Sequence, residues 1–294
     1  MPIYNVDGAE IFSAYGLAGS PAASAYDITG SMVFPTVIPE AKVMSFNVGC
    51  FYTQYFPAPA STGTVFYNRH REIFGYYPGL LFAGLSEWHN TIGTVSASAL
   101  MNEFFEAYAP EYSAYQVEGA ALTSAYGATP SNVTFTPYST QSSNLRYYQR
   151  AYLNFYGKTI CCILTHLDLD DAVKFAQLSE LLDVVENEEY FIISGDFNHK
   201  ITQIGDDQYN ASIKVVLERG YNSAQNNEQI YMTWYDGTTA ADSNRIWAVD
   251  NIITSPNIEI TDVERDTTKL TDGLCEQYGI MIDHLPLVAT LRIT

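Results

Sequence analysis

The chain has 294 residues, 47% of them apolar or aromatic, and a formal net charge of −19 at neutral pH. Lys and Arg together number only 14, so the composition argues against broad, non-specific affinity for polyanions, which requires clustered basic side chains. No apolar run approaches the roughly 20 residues that cross a bilayer, and the N-terminus lacks the basic flank and apolar stretch of a signal peptide. These features predict a globular protein, with one domain of roughly 250 residues and a short extension.

The extension carries a short repeat. Tyr4, Tyr15 and Tyr26 are each followed four residues later by glycine, at a period of eleven residues. Such units are too small to bury a face of their own, so they are expected to stack on one another or on another chain, unless the segment is a simple linker. They resemble the tyrosine-glycine repeats of tail-associated proteins of bacteriophages. We therefore expect an extension over residues 1–40, a separate domain over 41–294, and a virion-associated or extracellular location.

Four cysteines, Cys50, Cys161, Cys162 and Cys275, show no metal-type spacing. Cys161 and Cys162 are adjacent within an apolar strand pattern, so their side chains should point to opposite faces of the sheet. We expect buried free thiols.

From residue 41 the pattern mixes strands and helices. In chain order the predictions are a strand over 43–49, a helix over 69–77, a strand over 80–87, a helix over 96–107, and short strands with a loop over 108–149. Strands follow over 151–155 and 159–166, joined by a turn at Gly157, and then a helix from about Asp171 whose buried face carries Phe175, Leu178, Leu182 and Val185. Next come a strand over 190–193, a helix ending at Gly220, and strands over 246–254, 258–263 and 287–293.

Polar side chains stand in or at the ends of several of these apolar strands. Asn47 lies within the strand over 43–49, and a buried amide must be hydrogen-bonded. Glu87 ends the strand over 80–87, where a carboxylate is costly unless paired, and a hard cation is one such partner. His166 ends the strand over 159–166. Each of these residues alone is compatible with a purely structural role.

The stretch IISGDFNHK, over residues 192–200, carries the strongest signal. Gly195 is predicted to end the strand, which would deliver Asp196 and Asn198 to a loop at the strand's C-terminal edge. Further along, Asp250 lies within an apolar strand, and the adjacent Asp283 and His284 precede the last strand. An aspartate near an imidazole suits an oriented histidine, with one ring nitrogen facing a carboxylate and the other facing the reacting group.

Two other groups of polar residues are predicted to have structural roles and no part in catalysis. Asp168, Asp170 and Asp171 are predicted to cap and begin the next helix rather than to bind a metal. His89 is predicted to be a surface or packing residue.

The ordered set SFNV, LSE, THLD, SGDFN, TW with RIxxxD, and DHLP closely resembles the endonuclease/exonuclease/phosphatase superfamily over residues 41–294. This resemblance implies the deoxyribonuclease-I-like fold, an α+β four-layer α/β/β/α sandwich of two mostly antiparallel sheets flanked by helices. It also implies hydrolysis of a phosphate ester with a divalent cation, usually Mg²⁺, with Mn²⁺ or Ca²⁺ as alternatives.

The resemblance also implies a role for each matching residue. Asn47, Glu87 and Asp283 would form the metal site, Asp196 would orient or deprotonate the attacking water, and Asn198 would position water and phosphate. His284, held by Asp250, would contact phosphoryl oxygens, and His166 would stabilise the transition state or protonate the leaving oxygen. The chain departs from the common pattern at Ser86, where glutamine is usual, and at Ile282, where serine is usual.

The substrate is open at this stage. We expect a nuclease acting on DNA or RNA, with a phosphoinositide phosphatase or sphingomyelinase-like lipid phosphodiesterase as the alternative. Loops over 108–149 and 264–280 are expected to set specificity, and Arg150 is expected to contact substrate. A non-catalytic virion or surface binding module is a further alternative, which the complete set of catalytic residue types disfavours.

Overall fold

A computed structural model describes residues 3–4, 10–11, 40–47, 71, 73–77, 80–87, 91–92, 95–96, 107–112, 117–122, 130–143, 145–235, 245–265 and 284–294. The chain divides into two compact units, Met1–Pro39 and Glu40–Thr294. In the first unit, strands β1 (Ile3–Tyr4) and β2 (Glu10–Ile11) form an antiparallel pair. The rest of the repeat lies outside the described residues, so its attachment role stays a prediction.

The second unit is built from two sheets. Its strands are β3 (Glu40–Asn47), β4 (Leu80–Ser86), β5 (Thr91–Ile92), β6 (Val95–Ser96), β7 (Ala107–Tyr112), β8 (Val117–Leu122), β9 (Ser131–Pro137), β10 (Tyr147–Phe155), β11 (Lys158–His166), β12 (Phe191–Ile201), β13 (Asn222–Ser223), β14 (Trp234–Tyr235), β15 (Arg245–Thr254), β16 (Ile258–Arg265) and β17 (Leu287–Ile293). Its helices are α1 (Asp171–Val184), α2 (Asp207–Ala211) and α3 (Ile213–Glu218). Residues 71 and 73–76 are also helical.

The two sheets are mixed but mostly antiparallel. Sheet I has the order β13-β15-β12-β11-β10-β9, with β14 also paired to β15, and sheet II has the order β16-β17-β3-β4-β8-β7. Each sheet contains one parallel pair, β11 with β12 in sheet I and β3 with β4 in sheet II. The predicted α+β sandwich is therefore confirmed.

One hydrophobic cluster fills the space between the sheets. It takes Leu164 and Ile192 from sheet I and Val43 and Leu287 from sheet II, all of them buried. Because side chains alternate along a strand, the neighbouring residues of sheet I face the other way and form a second cluster with the helices. Packing both faces of sheet I explains why its central strands are apolar throughout.

The adjacent cysteines follow this alternation. Cys162 belongs to the cluster between the sheets, whereas Cys161 belongs to the cluster under the helices. Both are buried free thiols, as predicted, and burial raises the pKa of Cys161 to about 12. These thiols are therefore unreactive packing groups. Cys50 and Cys275 lie outside the described residues.

Helix α1 begins where the sequence predicts, but it is rotated. The side chain of Asp170 accepts a hydrogen bond from the Val173 backbone N–H, which makes Asp170 the N-cap. The buried face contains Lys174 and Gln177 in addition to Leu178 and Leu182, whereas Phe175 is only half-buried. No helix among the described residues has the length and hydropathy needed to span a membrane.

Two predicted elements differ from the structure. Strand β12 continues through Gly195 to Ile201, so Asp196 lies within a strand rather than in a loop. The predicted helix over 96–107 falls on residues outside those described, except at its ends, where Ser96 belongs to β6 and Ala107 to β7. The tight turn at Gly157 is confirmed, because Tyr156 and Gly157 have φ of 49° and 82°.

Candidate active site

Strand alternation brings the polar residues to the inner faces of both sheets at one end. In sheet I, His166 is the register partner of Asp196, and Asp196 is in turn the partner of Asp250. Each of the three lies an even number of residues from a residue of its own strand that packs between the sheets, so its side chain faces the same way. In sheet II, Asn47 is the last residue of β3, and Glu87 directly follows β4.

An amide joins the two sheets at this end. The Asn47 Nδ2 donates to Asp196 Oδ2 at 3.0 Å and to Glu87 Oε1 at 3.1 Å. Asn47 and Asp196 are buried, whereas the Glu87 side chain retains 21% exposure. The cluster therefore opens to solvent on the side of Glu87.

Two imidazoles flank the Asp196 carboxylate. His166 Nε2 lies 3.5 Å from Asp196 Oδ2 and 3.9 Å from Glu87 Oε1. His284 Nε2 lies 3.7 Å from the same Asp196 oxygen. One carboxylate oxygen is thus surrounded by an amide and two ring nitrogens.

Asp250 orients the second imidazole. Its Oδ2 lies 2.9 Å from His284 Nδ1, and both side chains are buried. This contact fixes the ring and leaves Nε2 to face Asp196. Thr233 supports the pair, because its hydroxyl oxygen accepts a hydrogen bond from the Asp250 backbone N–H at 3.2 Å and its carbonyl accepts one from Leu285 at 2.9 Å.

The pKa values of the neighbouring residues Asp196 and Asp250 are shifted in opposite directions. Burial acts to raise the pKa of Asp196, but His166, His284 and hydrogen bonds from Asn47 and Asn198 outweigh it, so the pKa is lowered. Burial is also the largest influence on Asp250, and with the added charge of Asp196 it raises the pKa despite the contact with His284. The lowered pKa of Asp196 keeps this carboxylate charged at neutral pH.

The backbone is strained at two site residues. Glu87 has φ of 55° and Asn198 has φ of 52°, a region that residues other than glycine adopt reluctantly. Such conformations cost on the order of 1 kcal/mol or more each and persist where surrounding contacts impose them.

Hydrogen bonds hold Asn198 in this conformation. Its backbone N–H donates to Asp196 Oδ1 at 2.8 Å, and its side-chain Nδ2 donates to the Leu167 carbonyl at 2.8 Å. The amide is therefore tied both to the central carboxylate and to the residue that follows His166.

The structure brings together Asn47, Glu87, His166, Asp196, Asn198, Asp250 and His284. It does not bring Arg150 to them. Arg150 alternates with Ala151, which faces the sheet interface, so the guanidinium lies on the outer face of sheet I, 5.7 Å from the Tyr152 ring centroid. Arg150 is therefore separate from the residues that converge at this end of the sandwich, and its contact with substrate stays a prediction. Asp283 and His89 lie outside the described residues.

Two serines that were not among the predicted site residues hold the sheets together beside the site. Ser45 donates to the Gly195 carbonyl and Ser194 donates to the Met44 carbonyl, both at 3.0 Å. Their partners belong to the opposite sheet, so no local pattern indicates them. These reciprocal bonds set the separation between Asn47 and Asp196.

The residues present suit a hard divalent cation. The carboxylates of Glu87 and Asp196 both contact the Asn47 amide, so this end of the sandwich brings together oxygen ligands of the kind that a hard cation prefers. Ligand atoms of Asp196, Asp250 and His284 also lie within 4.8 Å of one another. We favour Glu87 and Asp196 as the holding set, because Asp250 is fully buried and its Oδ2 contacts His284. Asn47, whose Nδ2 donates to both carboxylates, would join this set through Oδ1 only after its carboxamide turns.

His199, next to Asn198, makes stability depend on pH. It lies between Phe175 and Phe197, and within the described part of the chain neither ring nitrogen has a hydrogen-bond partner. Burial, aided by nearby Lys174, lowers its pKa to about 3. Below its ordinary value of about 6.5, the unfolded chain thus binds a proton that the folded chain does not, and stability is lost as the pH falls towards 3.

We expect His199→Phe to remove this dependence. The free energy of unfolding should fall less steeply between pH 6.5 and 4 than in the wild type, by at most about 1.4 kcal/mol per pH unit. Urea unfolding at several pH values measures both slopes. Parallel pH dependences in the two proteins would show that His199 is not the group responsible.

Comparisons with known proteins show the fold. No protein-family model matches the chain, and no curated protein matches it. Among solved structures, an endonuclease/exonuclease/phosphatase from Bacteroides vulgatus superposes with a TM-score of 0.65 at 13% identity, covering 87% of this chain and 100% of that one. Truncated TDP2 from Caenorhabditis elegans gives 0.59 at 15% identity, covering 86% and 97%.

The catalytic domain of human Nocturnin, solved with a bound sulfate anion, gives a TM-score of 0.59 at 17% identity, covering 87% of this chain and 94% of that one. At these identities the likeness shows a shared fold and no more. The chain therefore has the deoxyribonuclease-I-like sandwich, and its chemistry has to be argued from its own residues.

Proposed function

We propose that the protein is a divalent-cation-dependent phosphodiesterase that acts on nucleic acid. The observation that carries this proposal is the convergence of two carboxylates, an amide and two imidazoles around Asp196 Oδ2. Attack on phosphorus requires mainly positioning of a water and neutralisation of charge on the phosphoryl oxygens, and this set supplies groups for both.

Asp196 would hold the attacking water. Its neighbours lower its pKa, so it is a charged but weak base. We infer that it orients the water and accepts the proton only as the bond from oxygen to phosphorus forms. Asn198, fixed next to it, would contribute a hydrogen bond to the water or to a phosphoryl oxygen.

The two histidines would act on the phosphate itself, His284 on a non-bridging oxygen and His166 on the leaving oxygen. His284, oriented by Asp250, would donate a hydrogen bond from Nε2 to a non-bridging phosphoryl oxygen. His166, which lies between Glu87 and Asp196, would stabilise charge or protonate the leaving oxygen as its bond to phosphorus breaks.

A cation held by Glu87 and Asp196, with the Asn47 carboxamide turned to offer Oδ1, would neutralise the phosphoryl oxygens and offset the charge of the acidic surface. We therefore expect hydrolysis of bis-p-nitrophenyl phosphate in the presence of Mg²⁺ or Mn²⁺, reduced at least about 100-fold by EDTA and restored by excess metal. Undiminished hydrolysis in EDTA, after the protein has been passed over a chelating resin, would contradict the proposed metal dependence.

Nucleic acid is the substrate class that we propose, although the protein and a nucleic acid are both negatively charged. The net charge of −19 disfavours long-range attraction of a polyanion, so binding should depend on contacts at the site. TDP2 and Nocturnin share the fold, as does an endonuclease/exonuclease/phosphatase. A panel of plasmid DNA, RNA, sphingomyelin and inositol phosphates tests this choice, and cleavage confined to the lipid-derived substrates would overturn it.

A further inference from the structure

Lys174 has no role in the mechanism above, yet its surroundings are unusual. It lies in the first turn of α1, and its side chain is fully buried, unlike that of any other lysine in the described ranges. Burying an ammonium group is costly unless it is hydrogen-bonded or paired with a charge. An apolar side chain would fill the same space at lower cost, so the ammonium group requires an explanation.

The ammonium group has two partners. Lys174 Nζ lies 2.6 Å from Asp171 Oδ1, and it donates to the backbone carbonyl of Asn198 at 2.8 Å. Asp171, whose side chain is 61% exposed, pairs with the buried charge. The bond to Asn198 is the contact that ties the ammonium group to the candidate site.

The carbonyl that Lys174 binds belongs to a strained residue of the candidate site. Asn198 has φ of 52°, and its N–H and side-chain Nδ2 are bound by Asp196 and by the Leu167 carbonyl. Lys174 binds a third polar group of Asn198, its backbone carbonyl. Without it, the Asn198 peptide loses the bond that ties it to helix α1.

We propose that Lys174 is a positioning residue, which fixes the Asn198 backbone so that the Asn198 carboxamide faces the reacting phosphate. The proposal rests on the phosphodiesterase function proposed above. In this role Lys174 acts on the reaction only through Asn198. Its ammonium group therefore matters for turnover far more than for the overall fold.

The test compares Lys174→Met with the matched control Lys214→Met, which removes an exposed lysine of α3. With bis-p-nitrophenyl phosphate and Mn²⁺, we expect Lys174→Met to lower kcat about 10- to 100-fold, the loss typical of a misplaced catalytic group, with KM changed less than about threefold. The control should stay within about twofold of the wild type. A kcat for Lys174→Met within about threefold of the wild type would overturn the proposal.

A double-mutant cycle separates positioning from general destabilisation. If Lys174 acts through Asn198, Lys174→Met should cause less than about a twofold further loss in an Asn198→Ala background. An equal loss in both backgrounds would show that Lys174 acts by another route and would overturn the inference. If Lys174→Met does not fold, Lys174→Leu, which also removes the donor to the Asn198 carbonyl, takes its place in the same cycle with the same expected result.

Amide hydrogen exchange measured by NMR gives a readout that does not require activity. In Lys174→Met the Asn198 backbone amide, bonded to Asp196, should exchange at least about tenfold faster, because the local opening it reports becomes easier. Lys214→Met should leave its rate unchanged. If the wild type is inactive on every phosphodiester, the proposed function fails, but the exchange rate of the Asn198 amide still tests the role of Lys174. An unchanged rate in Lys174→Met would overturn the positioning role.

Discussion

The substitution Asp196→Asn is expected to lower phosphodiester hydrolysis by about 10³-fold or more while leaving the fold intact. Asp196 Oδ2 is the one atom that contacts Asn47, His166 and His284. Asparagine has the same shape, so it keeps the packing but removes the charge that, in the proposed mechanism, orients the water and holds the cation. The rate of bis-p-nitrophenyl phosphate hydrolysis at saturating Mn²⁺ measures the loss.

The matched control is Asp183→Asn, which neutralises an exposed aspartate of helix α1 that pairs with Arg219. Its activity and melting temperature should stay close to those of the wild type, because exposed ion pairs contribute about 1 kcal/mol or less. Asp196→Asn should also melt within a few degrees of the wild type. Wild-type rates in a folded Asp196→Asn protein would remove Asp196 from the mechanism.

The substitution Gly195→Ala is expected to have the largest effect on stability. A Cβ at this position would lie 1.8 Å from the Thr165 carbonyl oxygen, which belongs to the backbone of the neighbouring strand β11. Strands β11 and β12 would have to separate where His166 and Asp196 face each other. We expect the free energy of unfolding to fall by about 3 kcal/mol or more, the upper range for overpacking, with loss of activity.

Gly157→Ala provides the control for this change. Gly157 has φ of 82° and no atom within 4 Å of a new Cβ, so alanine there meets only the conformational penalty of about 1 kcal/mol. Urea unfolding of both variants separates the two effects. Equal destabilisation of Gly195→Ala and Gly157→Ala would show that the close approach of the strands is not what requires Gly195.

Gly195 also shows where local sequence patterns mislead. In the sequence it looks like the end of a strand, because glycine is a common breaker. In the structure the strand continues, and the glycine is required because the neighbouring backbone lies against it. Such a requirement arises between strands distant in sequence, so no window around residue 195 reveals it.

The fold class and most residues of the candidate site, by contrast, were predictable from local sequence patterns and from the order of the motifs. The strand-end positions of Asn47, Glu87 and His166 follow from apolar runs that stop at a polar residue, and the order of the motifs relates them to a known superfamily. Alternation along β10 also places Arg150 away from the site, since Ala151 and Leu153 face the sheet interface. The placement of Arg150 on the outer face of sheet I follows from the alternation in the sequence alone.

Lys174 was not predictable. Helical periodicity assigns the apolar residues of α1 to the core and a lysine to solvent, yet the helix is rotated so that Lys174 is buried and Phe175 is half-buried. The reason lies in the Asn198 carbonyl, 24 residues away in sequence. Only the packing of α1 against β12 brings the two together.

Anomalous diffraction at the manganese edge, from crystals soaked in Mn²⁺, is the most direct test of the cation site on which the proposed chemistry depends. We predict a strong peak beside the carboxylates of Glu87 and Asp196 in the wild type, lost in Glu87→Gln. A peak confined to another part of the protein, or no peak at a Mn²⁺ concentration that saturates hydrolysis, would contradict the assignment.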